Sequence, residues 1–424
     1  MSSDSDRFSS SHSNISPMVQ PLADSSPDTG WSLFWVIVAL ALGGFGIGTT
    51  EFVAMGLIQE IAHWVGVSVP MAGHMISAYA LGVVVGAPVI AILCARVPRK
   101  GLLLGLMLFF TVGNAATAFA PNFESLVVSR FIAGLPHGAY FGVAALVAAT
   151  LAGAERRAQA VARVMLGLTV ATVIGVPFAT WLGQLLGWRS GFAFAAGIGV
   201  FTMLAIALVL PKIAAPANAS ISSELAGLKN SQMWLTLAIA AVGFGGLFAV
   251  YTFVSPLLTN YTQVSIRYVP IALAVWGCGM VTGGLMGGWL ADRGMQKALY
   301  RITFAMIAAF LLSTVMMQHW YSALLALFLM GATGMALGPA LQTRLMDVAG
   351  DAQTLAASLN HSAFNIANAQ GAWLGGLVIS AGYGWIAPIW VGVGLSIGGL
   401  LVLIISLQLA QSKPDPTADQ ALNP

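Results

Sequence analysis

Residues 31–57 have the sequence WSLFWVIVALALGGFGIGTTEFVAMGL, in which Glu51 is the one charged side chain. An α-helix of roughly 20 mostly apolar residues is long enough to cross the hydrocarbon core of a bilayer. An ionisable residue inside such a helix is costly and is expected to have a purpose. The stretch therefore predicts a membrane span that carries one functional carboxyl group.

Similar apolar stretches recur along the rest of the chain, separated by short polar segments. The predicted spans cover approximately 31–57, 71–94, 101–120, 124–150, 160–186, 190–210, 233–258, 270–291, 300–317, 321–345, 354–380 and 385–409. The expected fold class is therefore an all-α membrane protein with twelve transmembrane helices.

The composition supports a membrane protein and argues against several soluble classes. Charged residues make up 7% of the chain, against roughly 25% in a typical soluble protein. The basic residues are scattered over short polar gaps without interleaved aromatic residues, so nucleic acid is not an expected partner. Cys94 and Cys278 lie in apolar stretches without metal-ligand spacing. We therefore expect no metal site and no cofactor.

Polar segments divide the chain into two halves. Residues 1–30 are rich in Ser, Asp and Pro and are expected to form a disordered cytoplasmic tail. The longest polar interruption, 211–232, is the predicted linker between six-helix bundles at 31–210 and 233–410. Residues 411–424 form the predicted C-terminal tail.

The basic residues predict the orientation of the chain in the membrane. With the N-terminus inside, fourteen of the seventeen Lys and Arg residues fall on the inner side. Two of the others, Arg189 and Arg267, fall on the outer side, and Arg130 lies within span four. We therefore expect both termini to be cytoplasmic.

The two halves also repeat in sequence. A shift of 197 positions superimposes the end of span two on the end of span eight. The matched pairs are Gly82 with Gly279, Gly86 with Gly283, Arg96 with Arg293, and Lys100 with Lys297. Repeated six-helix units are a known plan for carriers, in which two bundles rock around a site between them.

Several motifs resemble those of the major facilitator superfamily. They are the loop Gly288-Trp-Leu-Ala-Asp292-Arg293-Gly294-Met-Gln-Lys297, its first-half counterpart Cys94-Ala95-Arg96-Val97-Pro98-Arg99-Lys100, the span-four segment Arg130-Phe-Ile-Ala-Gly134, and the span-five segment Gly175-Val-Pro177. The last is similar to the exporter signature, with Val inserted between Gly and Pro. In the first loop, Ala95 stands where the family usually has Asp.

Further motifs resemble the bacterial arabinose-efflux-permease type of drug/proton antiporter. They are Thr50-Glu51-Phe52, Ala72-Gly-His74, Gly134-Leu-Pro-His137-Gly138, and Asn360-His361-Ser362-Ala363-Phe364-Asn365. The resemblance implies the major facilitator fold of two pseudo-symmetric six-helix bundles. It also implies a gating role for the two loops, through Arg96, Arg99, Lys100, Asp292, Arg293 and Lys297.

The proton-coupling hypothesis concerns three ionisable residues inside spans. Glu51 is the one acid well inside a predicted span, and the alternative is a structural carboxylate. Arg130 is the one such cation; its expected partner is Glu51, with a backbone carbonyl or a water-filled cavity as the alternative. His137 lies two turns after Arg130 on the same helix face and is either a proton relay or a packing residue.

Span eleven carries a polar stripe, formed by His361, Asn365 and Asn368 at positions i, i+4 and i+7. A polar stripe on a helix in lipid must face protein or water. We expect it to line the substrate cavity, with hydrogen bonding between helices as the alternative. Gln342 in span ten is a further cavity candidate.

Span five carries small residues four apart, among them Gly167, Gly175 and Gly183. Such a stripe permits close helix contact, and Pro177 beside it should bend the helix. We expect a packing seam between the halves here, and plain close packing is the alternative.

Together these features predict a monomeric bacterial inner-membrane transporter that exports a small drug-like molecule or sugar by proton antiport with alternating access. A uniporter or a proton-coupled importer is the alternative. No motif of a zinc protease, serine hydrolase or phosphate-binding loop occurs, so an enzyme is not expected. Gly382-Tyr383-Gly384 resembles part of a potassium-channel filter but lies in a short turn between spans.

Overall fold

The computed structural model describes residues 30–94, 96–153, 156–213, 230–349 and 353–411. Most of the predicted N-terminal tail, of the linker and of the C-terminal tail lies outside these residues. Helical segments correspond to each predicted span. In chain order they are Gly30–Gly56; Val69–Ala72 with His74–Leu93; Arg99–Ala118; Phe123–Gly134 with His137–Ala152; Arg157–Val170, Ala171–Gly175 and Val176–Leu186; Arg189–Val209; Ser231–Gly243, Gly245–Thr252, Val254–Pro256 and Leu257–Tyr261; Val269–Asp292; Met295–Met316; Trp320–Ala349; Gln353–Ser380; and Ala387–Gln411.

Eleven of these spans in the described chain are long and apolar enough to cross a membrane. The remaining one, span eleven at Gln353–Ser380, has 28 residues, which is ample length, but the amides of its polar stripe lower its hydropathy. Such a helix is tolerated in a membrane when its polar face is turned towards protein. The predicted all-α membrane fold is confirmed.

The sequence repeat has a direct structural counterpart. Gly82 in span two faces the backbone carbonyl of Phe131, and Gly279 in span eight faces the backbone carbonyl of Phe328. The partners Phe131 and Phe328 are 197 positions apart, as are the two glycines. A Cβ atom at either glycine would overlap the facing carbonyl oxygen, so the same close helix contact is built in both halves.

Two spans of the first half are interrupted near proline. In span four, the helix stops at Gly134 and resumes at His137, directly after Pro136. In span five, a π-helical turn at Ala171–Gly175 precedes Pro177. Proline lacks the N–H group that would continue the hydrogen-bond ladder, so the preceding turn adopts a different pattern.

The glycine stripe of span five packs against span one of its own half. The contacts are Gly167 with the carbonyl of Ala41, Gly175 with Thr49 and Phe45, and Gly183 with Leu57. The prediction that this stripe forms the seam between the halves is therefore wrong. Span five meets the second half elsewhere, where the carbonyl of Thr172 faces Gly277 of span eight. The stripe identified a close contact but could not identify which neighbour makes it.

A short helix at Ile58–Val65, here called the connecting helix, joins spans one and two. The halves are hydrogen-bonded to each other at the membrane face that carries it. Gln59 Nε2 donates to Ser255 Oγ at 2.9 Å and to Thr259 Oγ1 at 3.1 Å. Gln184 Nε2, at the end of span five, donates to the carbonyl of Ile266 at 3.0 Å. The two halves are therefore closed against each other at the connecting-helix face.

Candidate functional site: a buried polar junction between the halves

Glu51 lies in the last turns of span one, where the two halves meet. In the part of the chain that the structure describes, it is the one acidic residue buried along its whole side chain, at 6% exposure. Asn368 Nδ2 of span eleven donates to Glu51 Oε1 at 3.4 Å. Glu51 therefore contacts a polar group of the opposite half, and the span-eleven stripe is turned towards it.

Arg130 is fully buried beside this carboxyl but makes its hydrogen bonds to the neighbouring residue of span one. Its guanidinium donates to Thr50 Oγ1 and to the Thr50 carbonyl, each at 3.1 Å. It also lies 4.2 Å from the ring centroid of Tyr79, a cation–π contact. The interaction of Arg130 with Glu51 is electrostatic, and the direct hydrogen bonds go to Thr50.

Span three anchors this arrangement through one amide. Thr50 Oγ1 donates to Asn114 Oδ1. Asn114 Nδ2 donates in turn to the carbonyl of Phe110 at 2.9 Å. Arg130, Thr50 and Asn114 thus form a continuous buried network that fixes the helix carrying Glu51. Sequence reasoning missed Asn114, although an isolated amide in the middle of an apolar span is a detectable signal.

His137 and His361 face each other across the two halves. The Tyr79 hydroxyl lies 3.1 Å from His137 Nδ1, and the two imidazole centroids are 6.4 Å apart. Phe141 stacks on the His361 ring at 5.6 Å with an interplanar angle of 4°. The chain therefore brings together these two predicted site residues, with Tyr79 linking His137 to Arg130.

The other two predicted cavity residues differ in their surroundings. Asn365 Nδ2 donates to the carbonyl of His361 in its own helix at 3.0 Å, and its buried Oδ1 has no hydrogen-bond partner. Gln342 Oε1 accepts a hydrogen bond from Asn360 Nδ2. That contact joins spans ten and eleven within the second half, so the Gln342 side chain is engaged away from Glu51.

Aromatic side chains from both halves cover the junction towards the connecting-helix face. Phe52 packs on Phe248 and Tyr251 with centroid distances of 6.4 and 5.4 Å. Tyr251 packs on Trp276 at 4.8 Å. The Tyr251 hydroxyl and Trp276 Nε1 are buried without a hydrogen-bond partner. The junction thus combines apolar surface with a few polar groups, the usual composition of a small-molecule site.

The first predicted gating loop is packed against its own half. Lys100 Nζ donates to the carbonyls of Ala207 and Leu210 at 2.8 and 2.6 Å, at the end of span six. A cation near the carbonyl end of a helix is favoured by the helix dipole. Arg99 is buried, whereas Arg96 is exposed.

The second predicted gating loop is more exposed. Arg293 donates to the carbonyl of Trp289 at 3.1 Å and lies 3.7 Å from its ring centroid. Asp292 and Lys297 are exposed. A gating role for either loop stays a prediction.

No three His, Cys, Asp or Glu side chains of the described residues approach closely enough to bind a metal ion.

Twelve spans in two repeated halves, with polar groups from both halves meeting at a buried junction, define a membrane carrier. The chain belongs to the major facilitator superfamily, whose family model matches residues 40–350 and 237–423. It is accordingly a multi-pass transporter and not an enzyme.

Named relatives and a solved structure agree with this family. The Escherichia coli K12 "Inner membrane transport protein YdhP" is 40% identical over 380 residues, which cover 89% of this chain and 97% of the relative. The "Putative transporter AraJ" of the same organism is 34% identical over 355 residues, 83% and 90% of the two chains. A crystal structure of a bacterial homologue of the human lysosomal transporter Spinster, described as inward-facing and unoccupied, has a TM-score of 0.65 at 18% identity and covers 89% of this chain and 96% of its own. At that identity the likeness concerns the fold alone.

Proposed function

We propose that this transporter exports a small molecule across the bacterial inner membrane in exchange for protons. One observation carries the proposal: the buried Glu51 carboxyl of the first half contacts Asn368 of the second half. A proton-binding group at the junction of the halves changes its surroundings when the halves rock. The carboxyl can then take up a proton from one side of the membrane and release it to the other.

The network around Glu51 supports this role. Arg130 is held by two hydrogen bonds to Thr50 and by its stack on Tyr79, so its positive charge stays beside the carboxyl. Tyr79 continues the polar path to His137. Buried ionisable groups that are linked in this way titrate as a unit. We assign Glu51 as the proton carrier, and Arg130 and His137 as the groups that adjust its proton affinity.

The orientation follows from charge. We place both termini in the cytoplasm, because fourteen of the seventeen basic residues then fall on the inner side. The closed connecting-helix face is then the outer face. A carrier that is closed on its outer face exchanges cargo with the cytoplasm, and in the proposed exporter this is the state that loads cargo.

The proposed cargo is a small amphipathic molecule. Phe52, Phe248, Tyr251 and Trp276, which are buried in this closed state, would offer apolar and aromatic surface when the halves separate, whereas a bare sugar needs many hydrogen bonds. His361, Asn365 and Asn368 supply polar anchors. Drug-like compounds therefore fit this lining better than sugars. We also propose that the protein works as a monomer.

The test compares the wild type with Glu51→Gln in bacteria that lack their main exporters. Intracellular accumulation of a panel of drugs and sugars is measured with and without a protonophore. Glu124→Gln is the matched control, because Glu124 is an exposed acid in the first turn of span four. We expect the wild type and the control to lower accumulation of at least one compound, and the protonophore and Glu51→Gln to abolish this effect.

A Glu51→Gln protein that matches the wild type would contradict the proposal. Export that persists with the protonophore would instead favour a uniporter. Uptake rather than export would favour an importer. Membrane abundance of each variant is measured in parallel, so that loss of protein is not mistaken for loss of transport.

A further inference from the structure

We infer that Glu60, on the connecting helix, is a second proton-binding site, and that a proton bound there favours the closed state of the connecting-helix face. The inference depends on the proposed function only for which side of the membrane supplies the proton. Glu60 lies nine residues after Glu51, outside the membrane spans and outside the polar junction. Neither the sequence patterns nor the polar junction assigns it a role.

Glu60 is placed where the two halves touch. It follows Gln59, which is hydrogen-bonded to Ser255 and Thr259 of the second half. Although the residue as a whole is only partly buried, both its carboxyl oxygens are buried, and neither its own backbone N–H nor the Gln184 amide completes a hydrogen bond to them. Removing an ionised carboxylate from water without a compensating partner is costly. The closed contact therefore holds this carboxyl in surroundings that suit its neutral form.

On the side of span five, the neighbour of Glu60 is Gln184. Its amide interacts with the Glu60 carboxyl, but its Nε2 atom makes its hydrogen bond to the carbonyl of Ile266 in the second half, at 3.0 Å. Gln184 thus links the same two halves that enclose Glu60. Movement of the halves would break this hydrogen bond and admit water to the carboxyl.

The charged groups around the connecting helix either contact other residues or are exposed. Arg189 stacks 3.6 Å from the Trp64 ring centroid and donates to the carbonyl of Ala120 at 2.8 Å. Arg267 is exposed and lies over Tyr268 at 5.3 Å. His63, one turn further along the connecting helix, is exposed. None of them hydrogen-bonds to the carboxyl of Glu60.

The pKa of Glu60 is raised above its usual value, chiefly because burial penalises the ionised form; its own backbone N–H and Gln184 oppose this. Its place in the first turn of a helix also favours the carboxylate, yet burial outweighs these effects. Opening would return the carboxyl to water and to an ordinary pKa. The closed state therefore binds the proton more tightly, and its extra stability is present at low pH and lost as the pH rises through the raised pKa.

The experiment measures closure directly, without knowledge of the cargo. Cys94 and Cys278 are replaced by Ser, and spin labels are attached at His63→Cys and Ser265→Cys, two exposed positions on opposite halves at the connecting-helix face. Distances between the labels are recorded by double electron–electron resonance in nanodiscs from about pH 5 to about pH 8.

We expect the ratio of closed to open protein to fall by at least about threefold as the pH rises across this range. With Glu60→Gln the ratio should stay high at every pH. Glu124→Gln, the exposed acid on the same face, should behave like the parent protein. Retention of the full pH dependence by Glu60→Gln, or its absence in the parent protein, would overturn the inference.

A second variant tests the inference without altering Glu60. Gln184→Leu removes both the amide that favours the carboxylate and the hydrogen bond to Ile266. The ratio of closed to open protein should therefore be lower at every pH, while its decline continues to a higher pH than in the parent protein. A decline over an unchanged pH range contradicts the inference. Glu51→Gln in the labelled protein separates the two proposals. If the export assay shows that Glu51 is structural, the proposed function fails. A pH dependence of closure that is lost in Glu60→Gln would still support the proton-binding site at Glu60.

Discussion

Asn368 Nδ2 of the second half lies 3.4 Å from Glu51 Oε1 of the first half. This distance is near the upper limit of a hydrogen bond, so the contact is weak compared with an ordinary one. A contact that must break whenever the halves separate is expected to be weak. The same pair therefore offers a way to separate proton coupling from folding.

Asn368→Ala should reduce proton-driven transport while leaving the fold intact. Loss of a long hydrogen bond to a carboxyl removes about 1 kcal/mol, which corresponds to a roughly fivefold lower initial rate. The rate is measured in proteoliposomes with an imposed pH gradient. Asn365→Ala is the control, because the Asn365 amide bonds within its own helix. It should change the apparent affinity for cargo and leave the dependence on the gradient unaltered. Equal loss of gradient dependence in both variants would show that the contact with Glu51 has no special role.

Arg130→Lys should destabilise the protein although it keeps the charge. An ammonium group cannot reproduce two hydrogen bonds to Thr50 together with a planar stack on Tyr79. We expect a loss of about 2 kcal/mol, observed as a lower midpoint of thermal unfolding in detergent. Arg293→Lys is the control, since Arg293 is exposed and bonds to its own helix. Its effect should stay within about 0.5 kcal/mol. Similar midpoints for the two variants would refute a structural requirement for the guanidinium at Arg130.

Two adjacent glycines of span eight should respond oppositely to the same substitution. A Cβ atom on Gly283 would overlap the backbone carbonyl of Ala332 in span ten, whereas Gly284 has open space around it. Gly283→Ala should therefore destabilise the second half by about 1–3 kcal/mol through overpacking. Gly284→Ala should be neutral or stabilising, because Ala is the better helix former. Thermal unfolding of both variants checks this pair, and a destabilised Gly284→Ala protein would contradict it.

The fold was predictable from sequence because lipid imposes a simple rule on each span. Eleven spans of the described chain are long and apolar, so hydropathy locates these helices. The duplication of the two halves was also detectable in the sequence, because close approach of two helices tolerates only glycine at Gly82 and at its counterpart Gly279. Span eleven was predicted as an apolar stretch like the others, and its polar residues share one face.

The candidate site was only partly predictable. Glu51, Arg130 and His137 stand out because ionisable residues are rare in spans. Thr50 and Tyr79 do not, because hydroxyl groups are common in such helices, and the partners of these side chains and of Asn114 depend on helix rotation. For the same reason the glycine stripe of span five indicated a tight contact but not its partner. Glu60 was missed because it lies at a span end, where exposed acids are ordinary.

Gln59→Ala should shift the carrier towards opening at the connecting-helix face. The Gln59 side chain bonds to Ser255 Oγ and Thr259 Oγ1, and Thr259 Oγ1 donates back to Gln59 Oε1 at 3.2 Å. These bonds exist only while the halves are together, so their loss destabilises the closed state and leaves the open state unchanged. Loss of about 1–2 kcal/mol would raise the ratio of open to closed protein roughly five- to thirtyfold. The labelled pair at His63→Cys and Ser265→Cys measures this ratio. Asn260→Ala is the matched control, because Asn260 bonds to Pro256 and Thr259 within its own half. If Asn260→Ala opens the face as much as Gln59→Ala does, the effect belongs to the local fold of span seven and not to the contact between the halves.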